Sequence, residues 1–128
     1  MIMLDTSFLV ALARERDGKH ARAKEILSHV KEGMLISEFV FAEFVNYLSA
    51  KDGGESAHAA AEGLLSSDAE FIFSNFDEVR DSLEILRKYS GFSFTDASCV
   101  AIMKRGGISK IASFDSDFDK LKEIERVY

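Results

Sequence analysis

The sequence predicts an α/β domain of three layers, with helices on both faces of a mainly parallel sheet of four or five strands. Short strands that are apolar throughout alternate with helices, and this pattern is typical of a parallel sheet covered on both sides. The chain has 128 residues, of which 47% are hydrophobic and 30% charged. These values suit one globular domain, so we expect residues 1–128 to form a single domain.

Each predicted strand is a short apolar run that ends at a polar residue, and each predicted helix has an apolar face with a three- and four-residue period. The chain contains no proline, so its helices are expected to end at glycine or at charged residues. Thr95 is the expected N-cap of the sixth helix, which Lys104, Arg105 and Gly106 close. The predicted strands are residues 1–4, 34–37, 70–73 and 110–114, with a weak fifth at 124–128; the predicted helices are residues 6–13, 19–31, 38–50, 55–65, 77–89, 95–105 and 116–121.

The charge and cysteine counts restrict the class of protein. The net charge is −6, which argues against a protein that binds nucleic acid through a broad basic surface. The single cysteine, Cys99, cannot form an internal disulfide and is expected to be a small buried residue. No signal peptide and no membrane-spanning stretch are recognisable, so we expect a cytoplasmic protein.

Two aspartates directly follow predicted strands. Asp5 comes after the first strand and Asp115 after the fourth, and parallel sheets bind their ligands beyond the carboxyl ends of the strands. An aspartate at this position is also a common helix N-cap. Each residue alone is therefore weak evidence for a functional site.

Glu43 lies on the predicted helix 38–50, inside the apolar arc that runs from Val40 past Tyr47 to Phe39. A carboxylate there has to be paired, protonated or bound to a cation, because a dry and isolated charge costs several kcal/mol. A glutamate at the rim that reaches solvent or a lysine is the alternative. Asn46, one turn later, is placed to hold this carboxylate.

Asp96 falls in the first turn of the sixth helix, and Asp117 and Asp119 fall in the first turn of the last one. Acidic residues are favoured there by the helix dipole, so a purely structural role is the simpler interpretation of each. The combination is more informative, since the sheet would gather several carboxylates at one edge. Such clusters need a cation, and oxygen ligands suit Mg²⁺ or Mn²⁺, which serve phosphate chemistry.

Four segments, in this order and spacing, resemble the PIN-domain family of nucleases and, within it, the VapC-type toxins. They are LDTSFLVAL at 4–12, FAEFVNYL at 41–48, FTDASCVAIMKRGG at 94–107 and IASFDSDF at 111–118. The resemblance covers essentially the whole chain and implies a PIN-like fold. It also implies metal-assisted hydrolysis of RNA, a homodimer, and inhibition by a partner antitoxin.

By this resemblance Asp5, Glu43, Asp96 and Asp115 are the catalytic acids that hold Mg²⁺ or Mn²⁺, and Asp117 is an uncertain additional ligand. Thr6 and Ser113 are expected to orient ligands or to bind metal-bound water. Ser113 stands where many members have threonine, and Cys99 where a small apolar residue is usual.

Candidate RNA-binding residues follow the first helix. Arg14, Arg16, Lys19 and Arg22 cluster there in the sequence, near Asp5, and basic residues commonly hold a nucleic-acid backbone. Packing is expected to explain most of the aromatic residues, including Phe73, while Phe92 and Phe94 are the best candidates for base stacking. The three histidines show no metal-ligand spacing and are expected to be exposed.

Other functions remain open from the sequence. A haloacid-dehalogenase-type phosphatase needs a second aspartate at the position of Ser7. A receiver domain needs an acidic pair after its first strand and an aspartate after its third, where this chain has Ser74 and Asn75. A non-catalytic binding or regulatory module on a PIN scaffold is a further alternative.

Overall fold

The structure, a computed structural model, describes residues 1–128 and contains five strands, six α-helices and one short 3₁₀ helix. The predicted three-layer α/β architecture is confirmed. None of the helices is both long enough and apolar enough to cross a membrane. In chain order the elements are β1 (Ile2–Leu4), α1 (Thr6–Ala13), α2 (His20–His29), β2 (Met34–Ser37), α3 (Glu38–Asp52), α4 (Gly54–Leu65), β3 (Glu70–Ile72), α5 (Phe76–Lys88), α6 (Phe94–Gly106), β4 (Lys110–Ala112), the 3₁₀ helix (Ser116–Lys120) and β5 (Glu125–Val127).

All strand pairs of the sheet are parallel, in the order β3-β2-β1-β4-β5. The chain leaves β1 toward β2 and later returns to its other side through β4, so the strand order reverses at β1. Met3 is in register with both Leu35 and Ile111. Residues that follow β1 and β4 therefore lie beside each other at the reversal point, where sheets of this type bind ligands.

The helices pack in two groups, α1 to α4 and α5 with α6. Right-handed crossovers place these two groups on opposite faces of the sheet, because the chain runs in opposite directions across it in its two halves. Both faces of β1 are covered, and Ile2, Met3 and Leu4 are each at most 2% exposed. The centre of α6 is equally enclosed, since every residue from Thr95 to Met103 is buried.

The start of α6 differs from the prediction. Its N-cap is Ser93 rather than Thr95, and Thr95 is a buried residue of the first turn. Ser93 Oγ accepts from the Asp96 N–H at 3.1 Å, and the Asp96 carboxylate accepts from the Ser93 N–H at 2.7 Å. This reciprocal pair satisfies two backbone donors at once, which favours Ser93 as the cap.

Two further predictions about single side chains are wrong. Phe73 is 73% exposed, because β3 ends at Ile72 and leaves the next ring outside the sheet. His20 is only partly exposed, because its Nδ1 bonds the Ala11 carbonyl oxygen at 2.8 Å. Cys99 is fully buried, as predicted.

Ile111 on β4 offers a direct test of the core beside the site. Its side chain is fully buried, so we expect Ile111→Ala to lower the free energy of unfolding by about 2–5 kcal/mol. Urea denaturation measures this change. The neighbouring Lys110→Ala is the control, because Lys110 makes only a partly exposed ion pair with Glu32 at 3.2 Å, and its loss should cost about 1 kcal/mol or less. Equal losses in the two variants contradict the assigned core.

Candidate active site

Asp5 is the most deeply buried of the acids at the carboxyl edge of the sheet, and the residue is 2% exposed. It follows β1 directly, and its N–H donates to the Ala112 carbonyl oxygen at 3.1 Å, which joins it to the end of β4. Burial raises the pKa of the Asp5 carboxyl, and hydrogen bonds from Ser7 and Ser113 partly oppose this rise. The site therefore contains a carboxylate that the fold forces out of water.

Two serine hydroxyls hold one oxygen of Asp5. Ser7 Oγ donates to Asp5 Oδ2 at 2.6 Å and Ser113 Oγ donates to the same atom at 2.7 Å. Each hydroxyl has one proton, so the 3.2 Å contact between the two serines adds no further bond. The serines in turn accept from the backbone N–H groups of Phe114 and Asp115, both at 3.0 Å. The network thus ties β1 to the segment that carries Asp115.

Asp96 enters the same site from α6. It is 8% exposed, and burial raises its pKa to about 6 against the lowering effect of the Ser93 hydrogen bonds; the charges of Asp5 and Asp115 raise it further. Those charge effects require the three carboxylates to lie near one another. The convergence expected from the strand order is therefore present.

Asp115 and Asp117 have different surroundings, although they are two residues apart. Asp115 caps the 3₁₀ helix, with its Oδ1 accepting from the Asp117 N–H at 2.8 Å. Asp117 bonds Lys120 Nζ through its Oδ1 at 2.6 Å, and a Cβ on Gly91 would come within 2.7 Å of its Oδ2. The carboxylate of Asp117 is thus directed at Lys120 and Gly91, and it is absent from the residues that line the cavity described below.

Glu43 reaches the site from α3, as the helical period predicts, and is partly buried. Asn46 is exposed and forms no hydrogen bond with Glu43, so the expected support from Asn46 is not observed.

Cys99 is a fully buried residue of α6. Burial, followed by the charges of Asp5, Asp96 and Glu43, raises the pKa of its thiol well above the ordinary range. This thiol stays protonated and serves as packing.

One open cavity of about 410 Å³, called here the active-site cavity, joins these groups. Three of its acids use one carboxylate oxygen to cap a helix, and their other oxygens, Asp5 Oδ1, Asp96 Oδ1 and Asp115 Oδ2, accept no hydrogen bond. These oxygens are also not enclosed, because the one buried and unpartnered side-chain oxygen of the chain is Thr6 Oγ1. The cavity is lined by Asp5, Thr6, Ser7, Val10, Asp17, Lys19, Glu43, Tyr47, Ser93, Asp96, Phe114 and Asp115.

Thr6 Oγ1 is the second unusual feature of the cavity. The side chain is 7% exposed, yet the hydroxyl has no partner in the chain. A buried hydroxyl without a hydrogen bond costs about 1–3 kcal/mol. An oxygen of a bound water, ion shell or substrate in the cavity would supply the missing partner.

The donor set fits a hard divalent cation. All available ligands are carboxylate and hydroxyl oxygens, and the orphaned Thr6 hydroxyl adds capacity for a hydrogen bond. No three of the acids are close enough to form a ready-made cation cage. Mg²⁺ does not need one, because it usually keeps several waters and takes only one or two carboxylates directly.

The basic residues expected to hold RNA are dispersed. Arg14 pairs with Asp52 at 2.9 Å, and Arg22 pairs with Glu25 at 2.8 Å and donates to the Tyr128 carbonyl oxygen. Arg16 is exposed outside the cavity. Of the four, only Lys19 lines the active-site cavity.

Sequence reasoning gave no site role to six of the residues that line the cavity: Ser7, Val10, Asp17, Tyr47, Ser93 and Phe114. The sequence interpretation used Ser7 only to argue against a haloacid-dehalogenase-type phosphatase, although Asp-x-Ser at a helix start is a recognisable capping pattern. Ser93, three residues before Asp96, forms a similar pattern. Tyr47 was treated only as part of an apolar arc.

Comparison with known proteins identifies the family of this chain. Residues 2–124 match the model of the PIN domain family. A curated relative, the 23S rRNA-specific endonuclease VapC20 of Mycobacterium tuberculosis, is 30% identical over 127 residues, which cover 98% of this chain and 97% of the relative. The crystal structure of VapC20, described as a sarcin–ricin-loop-cleaving toxin, superposes with a TM-score of 0.88 over 94% of each chain.

More distant structures share the fold. A toxin–antitoxin complex from Klebsiella pneumoniae is 17% identical, with a TM-score of 0.73 over 98% of this chain and 96% of that one. VapBC2 from Rickettsia felis, bound to a DNA fragment from its promoter, is 17% identical, with a TM-score of 0.74 over 99% and 98% of the two chains. The family model and the VapC20 match together show that this chain belongs to the PIN-domain family, among its VapC-type members.

Proposed function

We propose that this protein is a VapC-type endoribonuclease that hydrolyses RNA phosphodiester bonds with the help of Mg²⁺ or Mn²⁺. The observation that carries the proposal is that Asp5, Asp96 and Asp115 line one cavity together with Glu43, and each of the three fixes one carboxylate oxygen by a cap and leaves the other without a hydrogen bond. Receiver domains and haloacid-dehalogenase phosphatases belong to other families. A non-catalytic PIN scaffold is the alternative that the cutting assay below decides.

The proposed substrate is structured RNA. The support is the name of the relative VapC20, a 23S rRNA-specific endonuclease, whose structure is described as that of a sarcin–ricin-loop-cleaving toxin. An RNA oligonucleotide with the sarcin–ricin loop is therefore the first substrate to test. Total ribosomal RNA is the second.

The proposed metal ligands are Asp5, Glu43, Asp96 and Asp115. When bound, the divalent ion supplies Lewis-acid stabilisation of charge on the phosphate and lowers the pKa of a bound water. Ser7 and Ser113 keep the Asp5 carboxylate in one orientation. Thr6 Oγ1 is free to bond an oxygen of water or substrate. Asp117 is left outside the proposed set because Lys120 holds it.

Two protein partners form part of the proposal, an antitoxin and a second copy of this chain. The toxin–antitoxin complexes among the structural relatives support the first. The exposed side chains of Phe73, which follows β3, and of Phe76 and Leu83, which lie two turns apart on α5, support contact with another chain, since exposed apolar groups that cluster mark interaction sites.

The central prediction concerns Asp5. We expect purified protein to cut RNA only with Mg²⁺ or Mn²⁺, and Asp5→Asn to lower the cutting rate by at least about 100-fold, because the cavity loses its most enclosed charge. Gel analysis of labelled RNA measures the rate, and circular dichroism measures the fold. Undiminished cutting by Asp5→Asn, or by wild type in excess chelator, contradicts the mechanism.

Two carboxylates serve as controls for that experiment. Asp68→Asn changes an exposed acid far from the cavity and should leave cutting unchanged. Asp117→Asn should keep most of the activity, because the backbone N–H of residue 117, which holds Asp115, is retained. Loss of cutting in Asp117→Asn to the level of Asp5→Asn would place Asp117 among the ligands.

A second prediction concerns stability and pH. The pKa of Asp96 is 3.8 ordinarily and about 6 in the fold, so the folded state binds this proton more tightly than the unfolded chain does. The proton on Asp96 therefore stabilises the folded state. This contribution is present below about pH 4 and is lost as pH rises through about 6. Ionised Asp96 then destabilises the metal-free protein by an amount on the order of 2–3 kcal/mol. Asp96→Asn keeps the hydrogen-bond acceptor of the cap and should therefore raise the melting temperature at pH 7.

Thermal melts at pH 4 and pH 7, with and without Mg²⁺, measure this prediction. The stabilisation by Asp96→Asn should disappear at pH 4. Mg²⁺ should stabilise wild type more than the variant, because bound metal stabilises the folded state. Asp77→Asn is the matched control, since Asp77 is also a first-turn acid but is exposed, on α5, outside the cavity. Lower stability of Asp96→Asn at pH 7 without metal contradicts the assigned charge penalty.

A further inference from the structure

Two aromatic rings line the active-site cavity beside the acids. Tyr47 lies on α3 one turn after Glu43, and it is 39% exposed. Phe114 directly precedes Asp115 and is partly exposed, with its ring centroid 6.1 Å from that of Phe8. The two rings come from elements that follow different neighbours of the central strand β1, because α3 follows β2 and Phe114 follows β4, and both rings line the cavity together with Asp5.

Each of these rings carries a lysine that has no acidic partner. Lys19 Nζ lies 5.8 Å from the centroid of Phe114, and Lys51 Nζ lies 5.9 Å from the centroid of Tyr47. Neither lysine takes part in an ion pair, whereas eight of the sixteen lysines and arginines do. The two rings thus share one arrangement, an aromatic face beside an ammonium group that has no ion-pair partner. Lys19 lines the cavity, whereas Lys51 lies outside its lining, one turn beyond Tyr47 on α3.

Charge alone does not explain how this cavity would hold a polyanion. Five of its twelve lining residues are aspartate or glutamate and only one, Lys19, is basic. A divalent ion offsets part of that charge. Stacking of bases on aromatic rings does not depend on net charge, and it is a common means of holding single-stranded RNA.

We propose that Tyr47 and Phe114 stack against two unpaired bases on either side of the phosphate that is cut, while Lys51 and Lys19 contact the backbone phosphates of those nucleotides. The substrate is then RNA that presents unstacked nucleotides at the cut, such as a loop, and not continuous duplex. This inference rests on the proposed function. It differs from the expectation for Phe92 and Phe94, since Phe92 is 6% exposed and Phe94 packs edge-on against Phe39.

The test measures binding separately from cutting. In the Asp5→Asn background, which leaves RNA intact, the probe is a short single-stranded RNA that contains 2-aminopurine, and its fluorescence reports stacking. Adding Tyr47→Leu should weaken binding about tenfold and reduce the fluorescence change, whereas Tyr47→Phe, which keeps the ring, should retain both. Adding Lys19→Gln should weaken binding severalfold and make its salt dependence shallower by about one phosphate contact.

Lys88→Gln is the matched control, because Lys88 Nζ lies 5.3 Å from the ring of Tyr89, outside the cavity. It should bind the probe as the parent does. Parent-like binding by both Tyr47→Leu and Lys19→Gln overturns the inference, as does an equal loss with duplex RNA of the same sequence. Cutting by the otherwise wild-type protein tests the proposed function independently. If the otherwise wild-type protein fails to cut RNA but its binding still depends on Tyr47, the proposed endoribonuclease function is rejected and the inference of base stacking is retained.

Discussion

Burial of the Asp5 and Asp96 carboxylates at the edge of the sheet is the constraint on which the rest of the structure depends. β1 lies between β2 and β4, and Asp5, which directly follows β1, is 2% exposed and lines the active-site cavity. Burial raises the pKa values of both Asp5 and Asp96, and the charges of Asp5 and Asp115 raise that of Asp96 further. The local hydrogen bonds that surround these residues offset a cost that the topology imposes.

The hydrogen bonds that offset this cost are those of helix N-termini. Each of Asp5, Asp96 and Asp115 gives one oxygen to backbone N–H groups at the beginning of a helix, where the dipole also favours an anion. A carboxylate has a second oxygen, which the cap leaves free. Capping and ligand binding are therefore compatible in one side chain, and the proposed function assigns both roles to each of these aspartates.

The same local hydrogen bonds also separate the parts of the site that the sequence could predict from those that it could not. Asp5 and Asp115 follow strands, and the parallel pattern alone places such residues together, while the helical period locates Glu43. The hydroxyls of Ser7 and Ser93 act through contacts of a few residues' range that a hydrophobic pattern does not record. The orientation of Asp117 could not be predicted from the sequence, because it depends on the bond to Lys120 and on the close approach to Gly91.

The basic residues show the same limit of sequence reasoning. Arg14, Arg16, Lys19 and Arg22 are neighbours along the chain, but the turn between α1 and α2 directs them to different surfaces, and acidic partners occupy Arg14 and Arg22. The net charge of −6 is partly local, since five acids line one cavity. The acidity therefore does not argue against RNA as the substrate; it argues against binding through charge alone.

The most direct test of the account is the position of a bound cation. In a crystal soaked in Mn²⁺, the account predicts an anomalous scattering peak in the active-site cavity, with Asp5 Oδ1, Asp96 Oδ1 and Asp115 Oδ2 as the nearest protein oxygens or bridged to the ion by water. The ion should leave Asp5 Oδ2 with its two serines. A peak bound elsewhere, or a cavity without a peak at saturating Mn²⁺, would contradict the account.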